Sequence, residues 1–301
     1  MKFVDNIEKF QKNRPLCVAL GTFDGVHKGH KAVISEAVNS DMQSMVFIIN
    51  RPVNSFKTSP MITTSQMQTE EIEKLGVDYL IKVDFEDICN LSPEEFISEI
   101  LFKTLGAKKI VCGFNYRFGK GASGDTKLLE KLCEKYEMAL TVVPAVFNEN
   151  FAISSSRIRD CIECGRMKDA EDMLGRPFGF NFMVVDGDHL GRKLGFPTIN
   201  QPFPEKFIIP KYGVYAATVT LQGERYSAVC NVGERPTVRK SLVRAETYIM
   251  DFSGNLYGQN VHINLIKFLR PEKKFPSLDQ LKKAIANDAK TAKAFIENLG
   301  E

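Results

Sequence analysis

In the first half of the chain, short apolar runs alternate with stretches whose apolar residues recur at helical spacing. The runs are rich in Val and Ile and lie at 16–20, 44–50, 78–83, 108–114 and 139–146. Within residues 92–107, Ser92, Pro93 and Glu95 precede an apolar stripe, which is typical of a capped helix. Strands that alternate with helices predict a parallel sheet with helices on both faces.

The second half has a different pattern, in which apolar runs follow one another with only turns or loops between them. These runs lie at 181–187, 213–221, 225–233, 245–252 and 260–269, and they predict an antiparallel β-barrel or sandwich. A charged amphipathic stretch at 277–299, capped by Ser277, predicts a long C-terminal helix. Because the pattern changes near 175–183, we expect two domains, at 1–180 and 181–301.

Charge and cysteine usage narrow the expected partners. The 40 Lys and Arg residues against 37 Asp and Glu give a net charge of +3, which favours small-molecule ligands over nucleic acid but permits a local basic pocket. The charged N-terminus is unlike a signal peptide, and no apolar run is long enough to cross a membrane. Seven scattered cysteines are typical of reduced thiols, so we expect a cytoplasmic protein.

Two of the cysteines, Cys161 and Cys164, form a C-x-x-C pair. Such a pair can bind a metal ion or act in redox chemistry. With no second pair and no nearby His, the sequence favours ordinary helix thiols.

A glycine-rich turn follows the first predicted strand. It lies in the segment "VALGTFDGVHKGH", residues 18–30, and includes Gly21 and Gly25. A strand that leads through such a turn into a helix is typical of phosphate binding, because backbone N–H groups there point at the anion. His27 and His30 share one face of the opening helical turn and can hydrogen-bond to phosphate oxygens. The alternatives are a Zn²⁺ site that includes Asp24, or incidental histidines; the glycines favour phosphate.

Two later segments offer further nucleotide ligands. Residues 113–125, "GFNYRFGKGASGD", combine glycines with Asn115, Arg117 and aromatic side chains, as a loop that holds an aromatic ring and its polar edge would. Residues 153–160, "ISSSRIRD", place three hydroxyls before Arg157 and Arg159. That order suits a second phosphate site, and its alternative is an ordinary capped helix with a basic face.

The three segments together resemble a known enzyme module. Their patterns, G-x-F-D-G-V-H-x-G-H, G-x-N/D-x-x-F-G and I-S-S-x-R-I-R, are similar to the FMN adenylyltransferase module of prokaryotic FAD synthetases, nucleotidyltransferases with a Rossmann-like α/β domain. The resemblance implies catalytic roles for His27, His30, Asn115, Arg157 and Arg159. It implies ATP or phosphate binding by Gly21, Phe23, Asp24, Gly25, Ser155 and Ser156. In the family's T-F-x-P-H-P segment this chain departs from the pattern, with Arg51 before Pro52 in place of histidine.

The segment "GDHLGRKLGFPTIN", residues 187–200, is the densest motif of the second half. Its glycines allow a tight loop, and Arg192 and Lys193 supply positive charge. Thr198 and Asn200 supply oxygen atoms that suit Mg²⁺, a hard cation that also binds phosphates. The alternative is a glycine-rich hairpin with incidental polar residues.

This segment and those that follow it resemble riboflavin kinase, whose pattern G-R-x-L-G-F-P-T-A-N is present with Ile199 for Ala. The resemblance implies an antiparallel barrel that binds ATP through Gly191, Arg192, Gly195, Pro197, Thr198 and Asn200, the last two also holding Mg²⁺. It implies flavin contacts from Asn231, Arg235 and Arg270. Glu246 would be the general base on a ribityl hydroxyl; without the motif, it would be taken as an outward-facing strand residue.

The combined resemblance spans residues 15–298 and implies a bifunctional enzyme. Such an enzyme phosphorylates riboflavin to FMN with ATP and Mg²⁺, then adenylylates FMN to FAD with release of pyrophosphate. We expect a monomer or a weak homo-oligomer. Two alternatives remain: a kinase whose adenylyltransferase activity is weakened or lost, and a flavin-sensing regulator without turnover.

Overall fold

The computed structural model describes residues 1–10, 14–50, 59–187, 189–235 and 242–299 of the 301-residue chain. Two compact units account for these residues. The first comprises Met1–Ser59 and Thr63–Ser155, and the second comprises Pro60–Ile62 and Ser156–Glu301. The domain limits of 1–180 and 181–301 stay a prediction about where each catalytic module begins and ends.

A six-stranded parallel sheet forms the centre of the first unit. Its strands are β1 (Lys2–Val4), β2 (Leu16–Leu20), β3 (Gln43–Asn50), β4 (Tyr79–Asp84), β5 (Ala107–Gly113) and β6 (Ala139–Val143). They are arranged in the order β1-β4-β3-β2-β5-β6, and each neighbouring pair is parallel. A short hairpin of β7 (Phe147–Asn148) and β8 (Phe151–Ala152) follows. The predicted parallel sheet is confirmed, with the three-residue β1 as an addition.

Helices cover both faces of this sheet. They are α1 (Lys28–Val38), α2 (Ser65–Glu73), α3 (Phe85–Ile88), α4 (Pro93–Glu95), a π-helix at Phe96–Thr104 and α5 (Thr126–Lys135). Leu16, Val18 and Leu20 of β2 belong to one buried cluster, whereas Cys17 and Ala19 belong to another. Because side chains alternate along a strand, β2 is covered on both sides, which explains its continuously apolar sequence.

The helix predicted at 92–107 begins as expected but continues with a wider turn. Ser92 Oγ accepts a hydrogen bond from Glu95 N at 3.2 Å, and Glu95 Oε2 accepts one from Ser92 N at 2.8 Å, which is a capping box. After α4 the chain forms the π-helix, where Leu105 N donates to Ile100 O, five residues earlier, at 2.9 Å. An apolar stripe indicates a helical face and does not distinguish these two helix types.

A six-stranded antiparallel sheet forms the second unit. Its strands are β9 (Phe178–Met183), β10 (Thr198–Pro202), β11 (Gly213–Leu221), β12 (Glu224–Arg235), β13 (Leu242–Ile249) and β14 (Asn260–Arg270), in the order β10-β13-β12-β11-β14-β9. Gln201 of β10 donates Nε2 hydrogen bonds to Phe182 O of β9 at 2.6 Å and to Val261 O of β14 at 2.8 Å. The two edges of the sheet therefore meet, and the unit is a barrel rather than a sandwich.

The described helices of this half of the chain precede, interrupt and follow the barrel strands. They are α6 (Ser155–Glu163) and α7 (Met167–Leu174) before β9, α8 (Leu190–Leu194) between β9 and β10, and α9 (Leu278–Glu297) after β14. The Oγ atom of Ser277 caps α9 by accepting from Gln280 N at 3.3 Å, as the sequence predicts. Ala292 and Ile296 of α9 join a buried cluster with Val214 and Val229 of the sheet. The C-terminal helix thus covers one side of the barrel wall from outside.

Candidate functional site

The turn that follows β2 has an unusual backbone. Phe23 and Val26 have φ values of 48° and 41°, in the left-handed region that bulky residues avoid. The buried Phe23 ring lies so close to Gly21 that a Cβ there would come within 2.8 Å of it, so only glycine fits at position 21. Strained backbone of this kind costs about 1–3 kcal/mol per residue and is concentrated at functional sites.

Hydrogen bonds from distant segments hold this turn in place. Gly25 N donates to the buried Thr63 Oγ1 at 3.2 Å. Ser155 Oγ donates to Asp24 O at 3.0 Å, and Gln68 Nε2 donates to Thr22 O at 2.9 Å. Ser155 therefore contacts the turn, and its predicted phosphate contact stays a prediction.

His27 and His30 lie together at the start of α1. His27 is the N-cap residue, and its Nδ1 atom accepts a hydrogen bond from His30 N at 3.2 Å. Because Nδ1 is an acceptor, a neutral His27 carries its proton on Nε2. The two rings are stacked with centroids 3.5 Å apart, and the Phe23 ring packs edge-on against His30 at 5.4 Å.

The charged state of His30 is disfavoured by this packing. Loss of hydration lowers the pKa of His30 well below its ordinary value, and the neighbouring His27 lowers it further. Among the described residues, no group hydrogen-bonds to the buried His30 Nδ1 atom. A neutral His30 can donate one hydrogen bond and accept another, which leaves it suited to a polar ligand.

The order of the strands places Asn115 at the same edge of the sheet as these histidines. The chain passes from β2 to β3 and β4 on one side, and then returns to β5 on the other side of β2. The crevice at such a reversal, outside the carboxyl ends of the strands, is where open α/β sheets bind ligands. The turn after β5 is closed by a 3.0 Å bond from Tyr116 N to Gly113 O and exposes Asn115.

The other predicted phosphate ligands lie on α6 in the second unit. Ser156 is exposed and Arg157 is half-buried. Arg159 is only 9% exposed, and its Nε atom donates to Pro60 O at 2.6 Å. One of the Arg159 donors thus has a structural partner, and the predicted phosphate contacts of all three residues stay predictions. Arg51 lies outside the described residues.

The loop that carries the second motif is tight around Gly191. Phe196 N donates to Gly191 O at 2.8 Å, and a Cβ on Gly191 would collide with Phe196 O. Gly195, with φ of 87°, ends α8 between them. Glycine at these positions lets the chain reverse immediately before Thr198, where β10 begins.

One row of residues crosses five strands of the barrel. In the strand register Asn200 is opposite Glu246, Glu246 is opposite Asn231, Asn231 is opposite Val214, and Val214 is opposite Arg270. Residues that are directly opposite in antiparallel strands point to the same face. The sheet therefore brings together four side chains that the sequence assigned to Mg²⁺, general-base and flavin roles.

A cavity of about 600 Å³ lies between this row and α9. Glu246, Asn231, Arg270 and Thr198 line it, and Leu281 of α9 contributes to its apolar wall. Its volume is in the range of small-molecule sites. A second cavity, of about 240 Å³, is lined by Arg192, Pro197 and Thr198. Since Thr198 borders both cavities, it stands where two ligands could meet.

Ion pairing and hydrogen bonding order the wall of the larger cavity. Arg270 donates from Nε and Nη2 to the carboxylate of Asp288 on α9, at distances from 2.7 to 3.1 Å. Asn231 Nδ2 donates to Glu272 Oε1 at 3.2 Å. Arg270 was predicted as a flavin ligand and is also the link between β14 and α9. The Arg235 side chain lies outside the described part of the structure.

Sequence reasoning missed three residues of these sites: Thr63, Glu272 and Asp288. Thr63 contacts Gly25 across 38 positions of sequence, and no local pattern marks it. Asp288 lies in a helix whose many charges look alike in sequence. Glu272 follows Arg270 within "RPEKK", and that cluster of charges after a strand was the one available signal.

In comparisons with known proteins, two families match the chain, one in each half, in the same order as the two sets of motifs. The FAD synthetase family matches residues 9–157, and the riboflavin kinase family matches residues 174–296. A bifunctional riboflavin kinase/FMN adenylyltransferase from Escherichia coli strain K12 is 35% identical over 98% of both chains. This chain belongs to the family of bifunctional riboflavin kinase/FMN adenylyltransferases. The family member from Bacillus subtilis is 32% identical over 94% of this chain and 93% of its own.

A solved structure has the same fold along its length. It is a crystal structure described as a macrolide-efflux protein from Streptococcus pneumoniae, which superposes with a TM-score of 0.86 at 29% identity and covers 97% of this chain and 98% of its own. The predicted family, fold class and pairing of two flavin-related enzyme modules are confirmed. The roles of individual residues within this bifunctional family member stay predictions.

Two further observations concern the cysteines and the possibility of a membrane-spanning helix. All seven cysteines, including Cys161 and Cys164, are free thiols. Within the described ranges, no helix combines the length and the apolar character needed to span a bilayer.

Proposed function

We propose that the second unit phosphorylates riboflavin to FMN with ATP, and that the site at the end of β2 in the first unit transfers AMP from a second ATP to FMN. The observation that carries the kinase assignment is the cross-strand row. It places Glu246 between Asn200 and Asn231 on the wall of the 600 Å³ cavity. A carboxylate beside a ligand-sized cavity suits proton transfer from an alcohol.

In the kinase reaction, Glu246 accepts the proton of the terminal ribityl hydroxyl. That oxygen forms a bond to the γ-phosphorus of ATP, while the bond from phosphorus to the β–γ bridging oxygen breaks and ADP leaves. Thr198 borders both cavities, so ATP phosphates bound beside Arg192 and a flavin bound beside Glu246 would meet at this residue.

Mg²⁺ fits the oxygen atoms of Thr198 and Asn200. These residues are two apart on β10 and so share a face, and the Asn200 amide is nearly buried and packed against Gly187. Among the described residues, no cluster of three or more His, Cys, Asp or Glu side chains could itself hold a metal, and Mg²⁺ commonly takes few protein ligands and completes its shell with phosphates and water. When bound, it would neutralise charge on the transferred phosphoryl group.

In the adenylyltransfer reaction, a phosphate oxygen of FMN attacks the α-phosphorus of ATP and pyrophosphate leaves. The His27 Nε2–H group and the backbone N–H groups of the turn would stabilise charge on the departing pyrophosphate. His30 would contribute as a neutral imidazole, because its pKa is lowered. Ser155 would bind the phosphates, and Asn115 would lie near the attacked α-phosphate or the flavin phosphate. For Ser156, Arg157 and Arg159 of the second unit, phosphate binding is proposed from the family resemblance alone.

Separate assays of the two half-reactions test this proposal. Glu246→Gln should lower the rate of FMN formation from riboflavin, ATP and Mg²⁺ by about 10²–10⁴-fold and leave FAD formation from supplied FMN unchanged. The matched variant His27→Asn keeps an N-cap acceptor and should do the reverse.

Equal loss of both activities in either variant would overturn the assignment of separate sites. Wild-type protein that makes FMN but no FAD would instead favour a kinase with a lost adenylyltransferase. Tight flavin binding without FMN formation would favour a non-catalytic regulator.

We also propose a cytoplasmic monomer or weak homo-oligomer that acts on small molecules and not on nucleic acid. The free state of all seven thiols supports a reducing compartment, and the small net charge supports the choice of ligand class.

A further inference from the structure

Beside the proposed general base, an amide and a carboxylate are hydrogen-bonded on the cavity wall. Asn231 Nδ2 donates to Glu272 Oε1 at 3.2 Å, and Asn231 is directly opposite Glu246 in the strand register. Glu272 is not required by the chemistry assigned to Glu246. Its position two residues after Arg270 nevertheless brings its carboxylate across to β12.

The glycine at position 233 makes room for this contact. A Cβ there would collide with Glu272 Oε1 and would lie 2.7 Å from its Cδ atom. Gly233 is part of a regular strand, where it is opposite Arg244, so this position needs no special backbone freedom. The absent side chain instead lets the Glu272 carboxylate lie over the strand and reach Asn231.

The polarity of the bond determines which way the Asn231 amide faces. A carboxylate can only accept hydrogen bonds, so Glu272 selects the NH₂ group of the amide. The Asn231 Oδ1 atom is then left as the acceptor on the other side of the planar group. An amide without such a partner could turn over and present either its donors or its acceptor.

We propose that Glu272 is a positioning residue for the kinase reaction, which holds the Asn231 amide so that Oδ1 accepts a hydrogen bond from a hydroxyl of the flavin side chain. This inference rests on the proposed kinase site. It assigns Asn231 to the polyol chain rather than to the flavin ring or to a phosphate, since phosphate oxygens need donors. Asn231 then recognises a hydroxyl next to the one that Glu246 deprotonates.

A swap of the two polar groups tests the geometry. Asn231→Asp alone puts two carboxylates face to face and should raise the KM for riboflavin about tenfold. Glu272→Gln alone allows both amide orientations and should raise it about twofold. In the double variant, the amide introduced at position 272 can donate to the carboxylate introduced at position 231, whose second oxygen is again an acceptor in the cavity. The double variant should therefore return to within about twofold of the wild-type KM.

The control ligand is lumiflavin, which has the flavin ring and no ribityl chain. Its inhibition constant against riboflavin in the kinase reaction should stay within about twofold in every variant, because it cannot use Oδ1. Gly233→Ala displaces Glu272 while keeping both side chains, and should match Glu272→Gln. Glu234→Gln removes the same charge from the same cavity and should leave the ratio of riboflavin KM to lumiflavin inhibition constant at the wild-type value.

Three results would overturn the inference: an unaltered riboflavin KM in the Asn231→Asp variant, parallel changes for both ligands, or no recovery in the double variant. Each of these three results is meaningful only when the wild-type protein forms FMN in the same assay. Failure of the wild-type protein to form FMN would instead overturn the proposed function.

Discussion

Removal of either partner of the Arg270–Asp288 ion pair should destabilise the second unit, and the two losses should be unequal. The Asp288 side chain is 8% exposed, whereas that of Arg270 is 27% exposed. Arg270→Ala leaves a carboxylate without its cation where water hardly reaches, and breaking a buried pair in this way costs about 3–5 kcal/mol. In Asp288→Ala the guanidinium keeps its 3.1 Å bond to Pro271 O and is partly hydrated, so we expect a loss of about 2 kcal/mol.

Hydrogen exchange of the amides in α9, measured under native conditions, gives the free energy of opening this helix. A matched control is Lys293→Ala. Lys293 also lies on α9, and its exposed 3.0 Å ion pair with Asp251 should contribute far less than the buried pair, because water screens it. Equal losses for the two buried-pair variants would refute the reasoning, and so would losses as small as that of the control.

Three other changes test the two motif loops. Gly191→Ala should destabilise the second unit and lower kinase activity, because its Cβ collides with Phe196 O; normal urea unfolding and rates would contradict this. Thr63→Val removes the acceptor of the Gly25 N–H group and should lower the free energy of unfolding by about 1–3 kcal/mol, with loss of FAD formation but not of FMN formation. The pKa of His30 is lowered on folding, so the unfolded chain binds the proton more readily. The free energy of unfolding should therefore decrease as the pH is lowered through about 6.5. Between pH 7.5 and 5.5 the wild type should lose roughly 1 kcal/mol more than His30→Gln, and equal losses would show that His30 is not the group responsible.

Local sequence patterns predicted most of the strands. For β11 the predicted run, 213–221, has the same bounds as the observed strand, Gly213–Leu221. They missed β10, which lies inside the motif that was interpreted as a loop. Only five residues long and ending at Pro202, this strand has too little alternation to be detected. Its place depends on pairing with β13, more than 40 positions away, and on the closure of the barrel by Gln201.

Glu246 illustrates the limit of a one-dimensional pattern. Along β13, Ala245, Thr247 and Ile249 are buried, and Glu246 and Tyr248 are half-buried. Alternation therefore predicts that Glu246 faces out of the barrel, and it does. The sequence could not say that α9 covers this outer face and encloses a cavity there.

The sequence by itself determined the two kinds of sheet, the cap of the long helix and the family, because these depend on neighbouring residues and on motif order. It also identified His27, His30, Thr198 and Glu246 as residues with chemistry to perform. Tertiary structure alone decided that the glycine-rich turn lies at the reversal of strand order, and that one cross-strand row carries Asn200, Glu246, Asn231 and Arg270. Strand order and register join residues that are far apart in sequence, and a shift of one residue would turn each side chain to the opposite face.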